Sequence, residues 1–233
     1  MQVIEELKHV ARTVKKFITR DKWMSKQEIM RYLPSKNITM LEAGAYDGND
    51  TLAWSTLLPN ATIHAFEPEP SAHKKLQKKV RGLSNVTIWN QALNDVSGEV
   101  SFNVSQNGCD KEGTFSSSLL KPKEHLTACP HIKFEKKITV KAINLDEWVN
   151  KNNIGTIDFL WLDMQGAEFK VLQAAPKTLA KVKVIFSEVS LKEMYDGAPL
   201  YDQFKNWLET KGFVVKKEEL PNEEMGNVLF VRK

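Results

Sequence analysis

Ile38-Thr-Met-Leu-Glu-Ala-Gly-Ala-Tyr-Asp-Gly-Asn-Asp-Thr51 is the stretch that decides the fold. Its first four residues are mostly apolar and read as a buried strand. Glu42 to Gly48 forms a tight glycine turn, and a helix opens at about Asn49 or Asp50, either of which can cap it. A strand, a glycine turn and a helix in succession are the first unit of a doubly wound α/β sheet. In such sheets ligands sit beyond the carboxyl ends of the strands.

Outward from this unit the alternation continues. Residues 61–66 read as a second strand, 71–81 as a helix with a lysine-rich outer face, and 86–89 as a third strand. The rhythm breaks at 94–137, where two strand-like pieces (99–104 and 136–143) flank a long polar loop, 105–135 at its widest. Loops of that length inside a domain are functional or disordered. Asn144 caps a short helix. The apolar run 157–162 is a fourth buried strand, followed by one helix over 166–179, a strand over 182–189 and a helix over 200–210. Strands at 213–216 and 228–231, separated by Pro221, Asn222 and Gly226, read as an antiparallel hairpin at the edge of a mostly parallel sheet. Upstream, residues 1–35 form a helical cap distinct from a main domain over 36–233. Val3, Leu7, Val10, Val14 and Phe17 recur at helical spacing, and Ser25 to Glu28 is a capping box ended by Pro34.

Composition excludes several classes. The 233 residues suit one domain with a full core, and the net charge of +4 with interspersed signs is no nucleic-acid footprint. No apolar run approaches the roughly 20 residues that span a bilayer, and charges interrupt the N-terminus too often for a signal peptide. Two cysteines make no disulfide scaffold, so a cytoplasmic setting is expected. Cys109, His125, Cys129 and His131 match no standard zinc spacing. His64, alternating with Ile63 on a buried strand, reads as a satisfied core histidine.

The polar groups expected at the strand ends are the glycine turn, Glu67, Asn90-Gln91-Ala92, Asp163 and Glu188. Glu67 lies 23 residues beyond Gly44, where a carboxylate can accept both hydroxyl protons of a ribose. The ligand is therefore read as a nucleoside. Pyrophosphate needs close backbone approach and no adjacent anion. Here Tyr46 and Asn49 occupy the second and third glycine positions, and Glu42 and Asp47 add carboxylates that tolerate an ammonium and a sulfonium. S-adenosylmethionine is preferred over a dinucleotide. A nicotinamide-dependent oxidoreductase and a non-catalytic module on the same scaffold remain the alternatives.

The blocks Leu41-Glu-Ala-Gly-Ala-Tyr-Asp-Gly-Asn-Asp-Thr51, His64-Ala-Phe-Glu-Pro-Glu-Pro70, Ser116-Ser-Ser-Leu119 and Ile157-Asp-Phe-Leu-Trp-Leu-Asp-Met-Gln-Gly-Ala-Glu168 occur in the order that resembles the FkbM family of S-adenosylmethionine-dependent methyltransferases. The resemblance implies a class I methyltransferase fold, Rossmann-like with helices on both faces, and O-methylation of a sugar or natural-product hydroxyl. Glu42 stands where the family usually has Asp, and Gln165 where it usually has Glu.

The expected cofactor contacts are Glu42, Gly44, Ala45, Tyr46, Asp47, Gly48, Thr51, Glu67, Pro68, Gln91, Ala92, Ser117 and Asp163. Asp163 and Glu188 are the candidate bases for the acceptor's proton. With water they could also hold Mg²⁺, but no histidine joins them by spacing, so metal is not favoured. The expected acceptor is a small molecule or a glycan. Oligomeric state has no readable code.

Overall fold

The computed structural model describes residues 24–107 and 115–233. The first amphipathic helix of the cap and Cys109 lie outside the described residues. The second cap helix is α1 (Lys26–Met30), closed at its start by the expected box: the Ser25 side chain accepts the Glu28 N–H while Glu28 reaches back to Ser25. It is shorter than Pro34 suggested. Ile29 is buried against the sheet, and the Lys26 ammonium lies 4.7 Å from the centre of the Trp161 ring.

The main sheet has seven strands in the order β3-β2-β1-β7-β8-β10-β9. They are β1 (Thr39–Ala43), β2 (Thr62–Phe66), β3 (Val86–Trp89), β7 (Phe159–Leu162), β8 (Val184–Ser190), β9 (Phe213–Glu219) and β10 (Met225–Arg232). The first three, β7 and β8 run parallel, and β10 is antiparallel to both β8 and β9. The C-terminal hairpin is there, but its last strand is inserted between β8 and β9, so β9 is the edge. Along β1, Met40, Leu41 and Ala43 are buried on alternate faces, as expected where helices cover both sides. One core holds Leu41, Leu160, Ile185 and Phe230 under α5 (Leu145–Lys151) and α8 (Tyr201–Thr210); the other holds Met40, Trp54, Phe159 and Leu229 under α1 and α2 (Asn49–Leu57).

Three expectations are corrected. The region read mainly as a long loop builds a second sheet, β4-β6-β5, from β4 (Ala92–Leu93), β5 (Gly98–Asn107) and β6 (Ile132–Ile143). The strands outrun the predicted 99–104 and 136–143 because polar residues face solvent on their outer side, while Phe102, Val104, Val140 and Ala142 form a buried cluster. The short helix α4 (His125–Ala128) lies in the same connection. The single helix over 166–179 is two, α6 (Glu168–Gln173) and α7 (Pro176–Leu179), because Pro176 can start a helix but not continue one. His64 is buried, but neither ring nitrogen has a partner; its ring meets Trp148 edge-on at 4.9 Å, and burial holds its pKa below the usual value.

Candidate active site

Gly44 follows β1, and its conformation is left-handed, with φ +89°. A Cβ there would lie 1.8 Å from the Asp163 carbonyl oxygen, so only glycine lets the ends of β1 and β7 meet. The N–H groups of Gly44 and Ala45 both donate to the Phe66 carbonyl at the end of β2. Helix α2 then starts without the expected cap at Asn49 or Asp50. Left-handed Gly48 is the cap residue, and a Cβ on it would come 2.8 Å from Leu76 of α3 (Pro70–Lys79). The Asp47 carboxylate instead accepts the Asn49 N–H at 3.1 Å.

Glu67 leaves β2 buried, and its two oxygens accept the N–H groups of Tyr46 and Glu69, each at 2.8 Å. Burial still pushes its carboxyl up to about 7, with those N–H groups pulling the other way. The Asn90 amide donates to the Glu67 carbonyl and locks the neighbouring strand end to this corner.

A cleft opens where these ends converge. Its floor includes Ala43, Gly44, Tyr46, Glu67, Pro68, Gln91, Ala92 and Asp163; Phe102, Val104, Ser117 and Leu119 roof it from the second sheet and the segment after the undescribed residues. The Tyr46 and Phe115 rings lie 4.3 Å apart at its mouth. Of the expected cofactor contacts, Gly44, Tyr46, Glu67, Pro68, Gln91, Ala92, Ser117 and Asp163 line this cleft, whereas Glu42, Ala45, Asp47, Gly48 and Thr51 are not on its lining. Glu42 is buried and accepts the Thr51 hydroxyl at 2.6 Å, and burial lifts it to about 8. These two support the turn from behind. Ser117 is engaged with Ser105, accepting its N–H at 2.9 Å.

The candidate bases fall on two sides of one residue. Asp163 lines the cleft; Glu188 faces a separate small hollow with Glu168, Phe169, Tyr201 and Phe204. Between them the Gln165 Nε2 group donates to Asp163 Oδ1 and to Glu188 Oε2, both at 2.7 Å. Burial raises Asp163 to about 6, opposed by that N–H, and holds Glu188 well above the usual range, with Asp163 and Glu168 adding to it. Glu168 accepts the Met164 N–H at 2.5 Å across the turn before α6, and burial raises it to about 7.

Leu119 belongs to the Ser116–Leu119 block already singled out, but spacing had not exposed Phe102 and Val104, nor Lys75 and Lys136, because they belong to a sheet and a helix face that meet the cleft only in three dimensions. Tyr195 was also missed: its hydroxyl sits 2.7 Å from Gln165 Oε1. Among the described residues no group of three or more His, Cys, Asp or Glu is arranged to hold a metal ion. No described helix is long and apolar enough to cross a membrane.

The parallel core with its inserted antiparallel strand and the cleft beyond the ends of β1, β2 and β7 define an α/β nucleoside-cofactor enzyme of the class I methyltransferase type. Residues 42–215 match the family described as the methyltransferase FkbM domain. The chain belongs to that family and is an S-adenosylmethionine-dependent methyltransferase. It is 31% identical over 172 residues to the 2-O-methyltransferase NoeI of Sinorhizobium fredii (strain NBRC 101917 / NGR234), covering 73% of this chain and 71% of NoeI. It is 24% identical over 170 residues to the hexuronic acid methyltransferase AglP of Haloferax volcanii, covering 70% of this chain and 62% of AglP. Among solved structures, Methanococcus jannaschii fibrillarin aligns with a TM-score of 0.52 at 12% identity, over 85% of this chain and 67% of that one. The magnesium protoporphyrin IX methyltransferase ChlM of Synechocystis PCC 6803, solved with bound S-adenosylmethionine, aligns at 0.50 and 10% identity, over 99% and 81%. At these identities the structures share the fold alone.

The residues present fit the cofactor. Glu67 and Asp163 put buried carboxylates on the cleft, where a cationic nucleoside offsets the cost of their burial.

Proposed function

We propose that this protein methylates a hydroxyl group of a sugar, free or within a glycan. The observation that carries the reading is the cleft itself: Glu67 at its ribose corner and Asp163 at its other end, both carboxylates on one lining. The relatives that act on sugars by name, NoeI and AglP, support the acceptor class.

When bound, S-adenosylmethionine supplies a methyl group on a sulfonium that is its own leaving group. The chain supplies alignment, a dry wall and a place for one proton. Glu67 orients the ribose through its carboxylate. Gly44, Tyr46 and Pro68 would hold the nucleoside and methionine portions against the strand ends. Phe102, Val104 and Leu119 shield the lining from water. In this reading Asp163, on the cleft lining, takes the acceptor's proton. Its pKa, raised to about 6, is nearer the operating pH than that of a free aspartate, yet leaves it mostly ionised above neutrality. Glu188 acts behind it, off the cleft lining.

Calorimetry with S-adenosylhomocysteine is expected to show one binding site per chain, weakened about tenfold or more in Glu67→Gln, which keeps one acceptor oxygen for the turn but loses the charge. A labelled-methyl assay on neutral, amino and uronic-acid sugars is expected to mark one class. Folded protein that gives no binding heat, or that methylates only non-sugar acceptors, overturns the reading.

A further inference from the structure

We propose that Gln165 is a positioning residue: its amide holds the Asp163 and Glu188 carboxylates as one pair, and Tyr195 fixes the direction in which that amide faces. This rests on the assignment of the cleft as the methyl-transfer site. A primary amide nitrogen carries two hydrogens, and Gln165 Nε2 lies 2.7 Å from an oxygen of each carboxylate. Both hydrogens are used. On the other end, Oε1 faces the buried Tyr195 hydroxyl at 2.7 Å, and that hydroxyl is 2.9 Å from the Ser116 carbonyl. A reversed amide would set its carbonyl oxygen against two carboxylates, so the direction is determined by its neighbours rather than by rotamer preference alone.

The backbone of Gln165 is held as firmly. Its φ is +55°, a conformation that side chains rarely adopt, and Gly166 follows at +95°. The Ser118 hydroxyl donates to the Gln165 carbonyl at 2.8 Å, and Ser118 is itself paired with Asn103 of β5 through both backbone groups. The second sheet thus fixes the backbone of Gln165, and Tyr195 fixes its side-chain amide.

The chemical consequence concerns where a proton can reside. Nε2 cannot accept a hydrogen, so the two oxygens facing it are acceptors. A proton taken up by Asp163 must sit on the oxygen that Gln165 does not hold. Among the described residues, the groups that interact electrostatically with the pair include the acids Glu168 at the start of α6, Asp50 on α2, Glu42 on β1 and Glu67 beyond β2, and the Tyr195 phenol. Among the described residues no lysine or arginine forms an ion pair with Asp163 or Glu188. In that setting the neutral double donor offers each carboxylate an N–H and opposes the rise of Asp163, while Glu188 stays well above the usual range. A carboxylate in its place would remove both N–H groups and add a third acid to the pair, raising it further.

Gln165→Glu and Tyr195→Phe test this with two readouts. In Gln165→Glu the acidic limb of the kcat profile is expected to move up by about one pH unit or more, with KM for the cofactor within about threefold of wild type. Tyr195→Phe is expected to lower kcat about tenfold without moving that limb. The second readout needs neither cofactor nor acceptor. A buried introduced carboxyl has a folded pKa above its unfolded one, so its stability contribution is complete at low pH and is lost as pH rises through the folded value. The Tm gap between Gln165→Glu and wild type is therefore expected to widen from pH 5 to pH 8. An unmoved acidic limb, or a Tm gap independent of pH, overturns the proposal. If wild type transfers no methyl yet the gap widens, the pairing stands and the functional reading falls.

Discussion

At Gly44 one missing side chain sets the distance between two strands. The Asp163 carbonyl oxygen occupies the place where a Cβ would go, 1.8 Å away, and φ is +89°. Gly44→Ala therefore meets both a backbone clash and a disfavoured conformation. Chemical denaturation is expected to show a loss of more than about 2 kcal/mol, and any folded fraction is expected to bind S-adenosylhomocysteine more weakly because β1 and β7 have separated. Wild-type stability in this variant would refute the close approach. The sequence showed the glycine and the carboxylates at the strand ends, since strand, turn and acid follow one another locally. It could not show that Glu42 and Thr51, also expected at the ligand, bond to each other behind the turn and off the cleft that Glu67 lines as expected. Alternation along a strand says which residues share a face, not which face meets the ligand. Gln165 stood out only as a departure from a resembled pattern; its partners Glu188 and Tyr195 are 23 and 30 positions away.

Among the elements, the junction at Asn144 ties the second sheet to the first domain layer. Its side-chain oxygen accepts the N–H groups of Asp146 and Glu147 and so caps α5, while its Nδ2 donates to the carbonyls of Asp95 and Ala174. One side chain thus holds a helix start, the turn before β5 and the end of α6. A lost cap alone costs about 1 kcal/mol, and two carbonyls that lose their donor add to that. Asn144→Ala is expected to lose about 2 kcal/mol or more in urea titration, and Asn144→Asp, which keeps the cap but not the donors, roughly half as much. Equal losses in the two variants would locate the effect elsewhere. The cap was legible because Asn-Leu-Asp-Glu is a local pattern. The second sheet was not, although both long strands were glimpsed. Ten-residue β5 and twelve-residue β6 carry polar outer faces that look like loop until they pair. The order of β9 and β10 was hidden for a related reason: a hairpin pattern is the same whichever of its strands lies at the edge.

Over the whole molecule the buried acids set how stability responds to pH. Burial raises Glu42 to about 8 and Glu67 and Glu168 to about 7, all three above an ordinary glutamate. For such groups the folded chain binds more protons than the unfolded one. Their stabilising contribution is complete below the unfolded pKa and is lost as pH rises through the folded values. Three histidines, His64 and His125 buried and His73 partly so, oppose this on the acid side. Burial holds His64, His73 and His125 below the usual imidazole value, so they favour the folded chain near neutrality and cost stability as pH falls below about 6.5. Acids lowered by surface partners, such as Glu28 and Glu218, also act only at low pH, and their exposure keeps them weak. Above about 6.5 the histidine contribution levels off within roughly a pH unit, and among the described residues the buried carboxylates outweigh it. Thermal unfolding of the ligand-free protein is expected to show Tm falling between pH 6.5 and 8.5, with a stability loss of at least the roughly 1.4 kcal/mol that one pK unit represents. A cation bound beside Glu67 and Asp163 favours the ionised forms, so the gain in Tm from S-adenosylmethionine, at saturating concentration, is expected to be larger at pH 8.5 than at pH 6.5. S-adenosylhomocysteine lacks the sulfonium charge, and its gain is expected to change less over the same range. A flat ligand-free Tm, or equal pH dependence for the two ligands, would mean that the anionic floor of the cleft does not sense the cofactor's charge.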